Sequence, residues 1–346
     1  MWNARRLLKW LWAGLLLRSG CLWWAKRQLR CNGAVITLTF HRVLEDASYE
    51  RTNSLPGMLV RQGTFLELVA YIARRCEPVD LRGCTPGKPS AKLRVAFTFD
   101  DGWSDNYTIA FPIVRANRIP LTVFVCSGFV GRNSPFWPER VTALLRAVQP
   151  TAGHAETAAL IERLKQCTPE AREQSLAELS ERAREQGMSV RPSNVDRMLS
   201  WSEITEMDRA DVSFGCHTQT HQILTTIPME TARQEVRESK AAIENALNKP
   251  CNVFAYPNGN WSPETQSILA ELGFGLAVTT ERGAWTASCD RLAIPRSNVC
   301  EGNLVGPSGR FSPTMFEYTT FWKAWRATKA DTRLRVGVQE TASAAR

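Results

Sequence analysis

The sequence predicts an α/β protein built on a parallel sheet or α/β barrel, and three observations carry that prediction. Short β-branched and aromatic runs recur along the chain, helix-like segments with clear start and stop signals separate them, and the chemically distinctive residues fall directly after the runs. The strand-like runs are 34–40, 93–99, 121–126, 211–216, 251–256 and 275–280, with a further short apolar run before Arg296. Ser262-Pro263 supplies an N-cap and a first-turn proline for one helix, which Gly273 closes. Another helix is expected over 230–248, with Ala232, Val236, Ile243 and Leu247 on one face and Pro250 beyond its end. Residues 137–200 break the rhythm. They are rich in Ala, Glu, Arg and Leu, with Thr168-Pro169 and Gly187 delimiting one helix, and they read as a helical insertion on one face of the sheet. The chain thus divides into a segment 1–33, a main domain 34–305 that holds the insertion, and an extension 306–346 whose end reads as a frayed tail.

Of the 346 residues 44% are hydrophobic and 22% charged, an ordinary globular balance. The formal charge of +9 is concentrated at the start of the chain, where Arg5, Arg6, Lys9, Arg18, Lys26, Arg27 and Arg30 interleave with Trp and Leu and no acid intervenes. Such a segment reads either as an interfacial anchor giving peripheral membrane contact through residues 1–30, or as an amphipathic helix covering the domain. The remainder is nearly balanced and shows no recognisable module, so no nucleic-acid partner is expected. The apolar run 10–17 is far shorter than the roughly 20 residues of a membrane span. Arg18 follows it at once and no cleavage site is clear, so a peripheral-membrane or cytoplasmic location is expected over secretion. Ten scattered cysteines favour reduced thiols over a disulfide framework. The sequence sets no oligomeric state.

Two motifs carry the chemistry. Thr98-Phe99-Asp100-Asp101-Gly102 ends an apolar strand, where adjacent carboxylates repel and lose solvation unless a cation or proton compensates. Cys216-His217-Thr218-Gln219-Thr220-His221 follows another, and a spacing of four is expected to put both imidazoles on one side of a helical turn, a bidentate metal grip. Two His and one carboxylate, with positions left open, is the composition of a catalytic metal site.

In order and separation these motifs resemble those of the polysaccharide deacetylase family, metal-dependent enzymes acting on chitin-like oligomers, peptidoglycan, xylan and poly-N-acetylglucosamine. The resemblance spans roughly residues 34–300. It implies a distorted (β/α)7 barrel, with Asp100 as general base and Asp101, His217 and His221 as ligands of a divalent metal. Zinc suits these ligands first, and cobalt or nickel would fit them too. Phe254-Ala255-Tyr256-Pro257-Asn258-Gly259 resembles the family's groove-wall segment, so Asn258 is expected to offer a backbone donor to an oxyanion. Ala255 stands where many members carry a base-orienting Arg, and Arg296 is the expected substitute. No His follows His221, so the general acid cannot come from the C-terminal side. The layout resembles the poly-N-acetylglucosamine deacetylases, whose acid lies on an N-terminal strand, which gives His41 that role. Trp103, Trp137 and Trp261 read either as platforms that stack on sugar faces beside the metal or as core residues, with Trp103 set among the substrate contacts, and His154 is given no role. The activity implied is removal of N-acetyl groups from a sugar in a polysaccharide or glycan, as in exopolysaccharide and cell-envelope metabolism. An O-acetyl esterase or a small-amide hydrolase would share the metal centre, and a glycan-binding protein with a degenerate centre is the alternative from another class.

Overall fold

The computed structural model describes residues 4–132, 136–188, 190 and 193–330, so the tail expected at the C-terminus lies outside the described residues. Ten strands are present among them: β1 (Val35–Phe40), β2 (Arg42–Leu44), β3 (Leu59–Arg61), β4 (Cys76–Pro78), β5 (Leu93–Phe99), β6 (Leu121–Val125), β7 (Ser213–Cys216), β8 (Val253–Ala255), β9 (Leu276–Val278) and β10 (Ser297–Asn298). The main sheet runs β10-β1-β5-β6-β7-β8-β9 with every pairing parallel, β4 adds to the start of β5, and β2 pairs β3 apart from it.

The sheet curls back on itself. Val278 of β9 bridges Ile294 in parallel, and a few residues on β10 pairs Leu38 and Thr39 of β1, so the segment 294–298 closes the ring between first and last strands. This is the distorted (β/α) barrel that the sequence implied. The strands are apolar on both faces because both are covered. Val35, Ala96, Phe124, Val253, Val278 and Ile294 pack together inside the ring. Alternate residues such as Ile36, Leu38, Val95, Phe97 and Val123 pack outward against the helices in the larger core.

The punctuation read from the sequence is formed. Ser262 caps the helix Pro263–Glu271 in a capping box with Thr265, and Asn248 ends the helix Met229–Leu247 in the left-handed conformation. Residues 137–185 form three helices, Trp137–Val148, His154–Lys165 and Pro169–Glu185, around an apolar cluster of their own. They do not lie along a face of the sheet. They lean over the carboxyl ends of the strands and wall a cavity there, because Phe136, Trp137 and Ile161 turn apolar surface toward that end of the barrel. Residues 306–330 of the extension fold against the domain, with a short helix at Pro313–Glu317. Glu317 there accepts hydrogen bonds from Lys26 and Tyr71, which ties this end to the N-terminal helix Cys21–Cys31 and to the domain.

Candidate active site at the strand ends

A cavity of about 620 Å³ opens at the carboxyl ends of the strands, lined by His41, Asp100, Asp101, His217, His221 and Asn258 among others. In a barrel of this kind that end carries the chemistry. A more open depression of about 750 Å³ lies at the other end of β6 and β7, edged by Arg115, Arg118 and Lys249, and contains none of these groups.

β5 ends at Phe99, and the backbone N–H of Asp100 bonds the carbonyl of Phe40 at 2.9 Å, which sets Asp100 and His41 side by side on adjacent strand ends. The chain then turns sharply, with Asp101 at φ 76° and Gly102 at φ 85°. Asp101, Thr218, His221 and Asn258 all take left-handed backbone that non-glycine residues rarely adopt, and all four stand at this site. Strain of this kind persists where the surroundings over-determine it, and it gathers at functional sites.

Asp101 Oδ1 lies 3.5 Å from Nε2 of His217 and 3.5 Å from Nε2 of His221. Its other oxygen accepts the indole N–H of Trp103 at 3.0 Å. Nδ1 of His217 is 2.7 Å from the carbonyl of Ala255 and donates to it, which leaves Nε2 facing Asp101, where it holds a proton toward the carboxylate or, once that proton is lost, offers a lone pair to a cation. Burial by itself would raise the pKa of Asp101, but the hydrogen bond with His217 and the charge of His221 overcome it and hold the carboxyl well below its usual range. Desolvation pushes His221 down to about 4, which keeps its imidazole neutral. One carboxylate and two imidazole nitrogens within 4.8 Å of one another, with their lone pairs converging, are a donor set that fits a divalent ion.

The His pair is not on a helical turn, as the spacing of four suggested. Residues 217–221 leave β7 as a loop, and the left-handed Thr218 and His221 fold it so that the two rings approach to 5.0 Å between centroids. The loop is held from outside by Glu235, on the helix Met229–Leu247. Its carboxylate accepts the backbone N–H of Gln219 at 3.0 Å, that of Thr220 at 2.8 Å, and the Thr220 hydroxyl at 2.6 Å. Nothing in the local sequence marks Glu235 for this task, since it sits mid-helix.

Arg296 is fully buried and spans the ring to Asp100. Nη1 donates to Oδ1 at 2.8 Å and Nη2 to Oδ2 at 2.7 Å, while Nε donates to the carbonyl of Thr279 at 2.8 Å. Burial would raise the pKa of Asp100, but the charge of Arg296 and this paired contact outweigh it and hold the carboxyl below its ordinary value. Nδ1 of His41 is buried without a hydrogen-bond partner at the cavity wall. Asn258 is exposed at the rim. Its side-chain oxygen accepts from Lys165 of the insertion at 2.8 Å, and its carbonyl accepts the Thr280 hydroxyl at 3.0 Å.

Trp103 is a correction. It is completely buried and does not line the cavity, so it offers no face to a sugar. Its ring packs against Phe136 and beneath the guanidinium of Arg42 at 4.2 Å, and its N–H is spent on Asp101. Of its expected companions, Trp137 does line the cavity, and the N–H of Trp261 bonds Glu281 at the surface. The sequence reading also missed three groups from the insertion that line the cavity, Glu139, His154 and Lys165. It missed Arg42 too, buried among Asp105, Asp196, Thr52 and Ser54. Ser54 in turn donates to Glu139 at 2.9 Å.

The fold and the cluster together place the chain among barrel proteins with a polar site at the carboxyl ends of parallel strands. It belongs to the polysaccharide deacetylase family, whose model matches residues 87–277, more than half of the chain. That match includes Asp100, Asp101, His217, His221 and Asn258 and leaves His41 and Arg296 outside. A curated relative, the polysaccharide deacetylase YxkH of Bacillus subtilis (strain 168), is 21% identical over 228 residues, 66% of this chain and 59% of that protein, so the chain spans less than two thirds of that relative's length. Two solved structures share the fold. The deacetylase PplD of Streptococcus pyogenes, in complex with acetate, is 19% identical with a TM-score of 0.52, covering 77% of this chain and 92% of that one. IcaB from Ammonifex degensii is 18% identical with a TM-score of 0.53, covering 84% and 98%.

Proposed function

We propose that the chain is a metal-dependent carbohydrate deacetylase that hydrolyses N-acetyl groups of a glycan and releases acetate. The observation that carries this reading is Asp100, clamped from behind by Arg296, lining one cavity together with the Asp101–His217–His221 cluster. Asp101, His217 and His221 would hold the divalent ion, zinc by preference for two imidazoles and a carboxylate. Such an ion supplies Lewis acidity toward a carbonyl oxygen and toward water.

Asp100 stays ionised at neutral pH because Arg296 stabilises its charge, so it is always ready to accept a proton from the attacking water. Arg296 takes up one in-plane lone pair of each carboxylate oxygen and leaves the others free, which fixes the direction of that transfer. The backbone N–H at Asn258 would face the oxyanion as the tetrahedral centre forms. His41, with an unpartnered ring nitrogen in the same cavity, would donate a proton to the departing amine, which cannot leave as an anion. Arg296, just before β10, would take the base-orienting place left vacant at Ala255, and its paired contact with Asp100 weighs against a degenerate binding protein.

The test is metal analysis of the purified protein joined to acetate release from N-acetylglucosamine oligomers, with O-acetylated glycans in parallel. About one divalent ion per chain and acetate from the amide substrates are expected. Undiminished release from an Asp100→Asn variant would sink the base assignment. For His41→Ala the expectation is metal retained and turnover lost, and loss of metal instead would make His41 a ligand.

A further inference from the structure

The two N-terminal helices, Ala4–Arg18 and Cys21–Cys31, are docked on the domain by one face. Ala13, Leu16, Leu22, Ala25 and Leu29 are buried, Lys9 bonds Asn303 at 3.0 Å, and Lys26 bonds Glu317. A surface helix ordinarily turns its other face, polar and charged, to water. The first helix does not. Leu8, Leu11 and Leu15 are 65%, 52% and 55% exposed, and with Trp12 they form a stripe at spacings of three and four along the outward side. On the second helix Trp23 is 63% exposed. Beside it Trp24 meets Trp325 edge-on at 4.8 Å, and Lys329 lies over both of those rings. Most of the large exposed hydrophobic side chains of the described chain stand on these two helices.

What would cover such a face is constrained by charge. The first acidic residue of the chain is Glu45, so neither helix carries a carboxylate of its own, while Arg5, Arg18 and Arg27 stand exposed on them. A second copy of the chain would bring like charge against like. An anionic bilayer surface meets both demands. Leucines enter the boundary between headgroups and acyl chains, tryptophans sit at headgroup level, and arginines reach the phosphates. No helix among the described residues is long and apolar enough to cross a membrane, so the contact runs along the surface.

We infer that the outward face of the helices Ala4–Arg18 and Cys21–Cys31 docks the protein on anionic lipid bilayers. The experiment is flotation of the full-length protein with vesicles of phosphatidylcholine, alone or mixed with phosphatidylglycerol, accompanied by tryptophan emission. Binding to the anionic vesicles should be roughly a hundredfold tighter, given three exposed arginines, and should weaken as salt is added. The double variant L11E/L15E should lose at least about tenfold in affinity, because two exposed leucines no longer enter the lipid. Its melting temperature and acetate release from soluble oligomers should be unchanged. In R5E/R27E the preference for anionic lipid should disappear, which decides the matter should the leucine variant fail to fold. Absence of vesicle binding, or equal binding by the parent and both variants, overturns the inference. So does an oligomer that L11E/L15E dissociates, since the face would then belong to a second copy. Vesicle binding, its salt dependence and the oligomeric state are all read without reference to catalysis, so they stand or fall apart from the proposed activity.

Discussion

Arg296 and Asp100 form a buried ion pair in which each partner is costly without the other. Arg296→Ala should therefore destabilise the protein by roughly 3–5 kcal/mol. It should also raise the pKa of Asp100, because the opposing burial would be left unbalanced, and move the acid limb of the activity profile to higher pH. Arg296→Lys should restore part of the stability and little of the rate, since an ammonium cannot make the paired contact. A rate that is unaffected in both variants would remove Arg296 from the proposed machinery. Glu139 gives a prediction of opposite sign. Desolvation first, and the nearby Asp101 carboxylate second, push its pKa up to about 8. The folded state thus holds a proton that the unfolded chain releases near pH 4.5, so stability should fall as pH rises from about 4.5 to 8. Urea denaturation across that window should show the decline, and Glu139→Gln should flatten it. These two residues also mark what could be read from the sequence. Asp100, Asp101 and the two histidines were legible because strand ends in this architecture face one place. Glu139 was not, since a glutamate in an Ala- and Glu-rich helix is ordinarily solvated, and only the tertiary fold turns that helix into the cavity. Trp103 was misread because an indole beside a carboxylate can equally stack on a ligand or hold the carboxylate, and sequence does not separate the two.

At the level of elements, the loop after β7 takes its shape from a remote carboxylate and from backbone strain. Glu235→Gln keeps the shape of that side chain and loses the charged acceptor, so metal affinity should drop about 10–100-fold while the secondary structure by circular dichroism stays the same. Retained affinity would show that the loop holds its form unaided. The turn at Asn258 depends on its neighbour. Gly259 sits at φ 80°, and a Cβ there would collide with the hydroxyl and the backbone nitrogen of Thr280. Gly259→Ala should cost more than about 1 kcal/mol and shift the Asn258 backbone, lowering turnover more than substrate affinity. Strand and helix bounds were close to the sequence expectation because caps, prolines and apolar runs are local signals. The conformation of the loop at 217–221 was not, because the i, i+4 spacing of two histidines is equally met by a helical turn and by two left-handed residues.

For the molecule as a whole, a metal that binds only the folded chain should stabilise it in proportion to its saturation, by about 4 kcal/mol at a thousandfold excess over Kd. In a chain of this size that corresponds to a rise in melting temperature of roughly 5–15 °C on adding zinc to chelator-treated protein. Asp101→Ala should abolish the rise, and a rise that persists would place the ion elsewhere. The segment that closes the ring has a further consequence. Its backbone is fastened by hydrogen bonds of Ile294 to Ala277 and Thr279, by one from Arg296 to Glu281, and by a two-residue ladder to β1, whereas β1 and β5 share six paired positions. Amides near residues 294–298 should accordingly exchange with solvent deuterium sooner than those of β5. Arg296 rides on that segment, so each opening event would take the guanidinium away from Asp100. The same few contacts that complete the cylinder would then set the fraction of time the proposed base is correctly aimed.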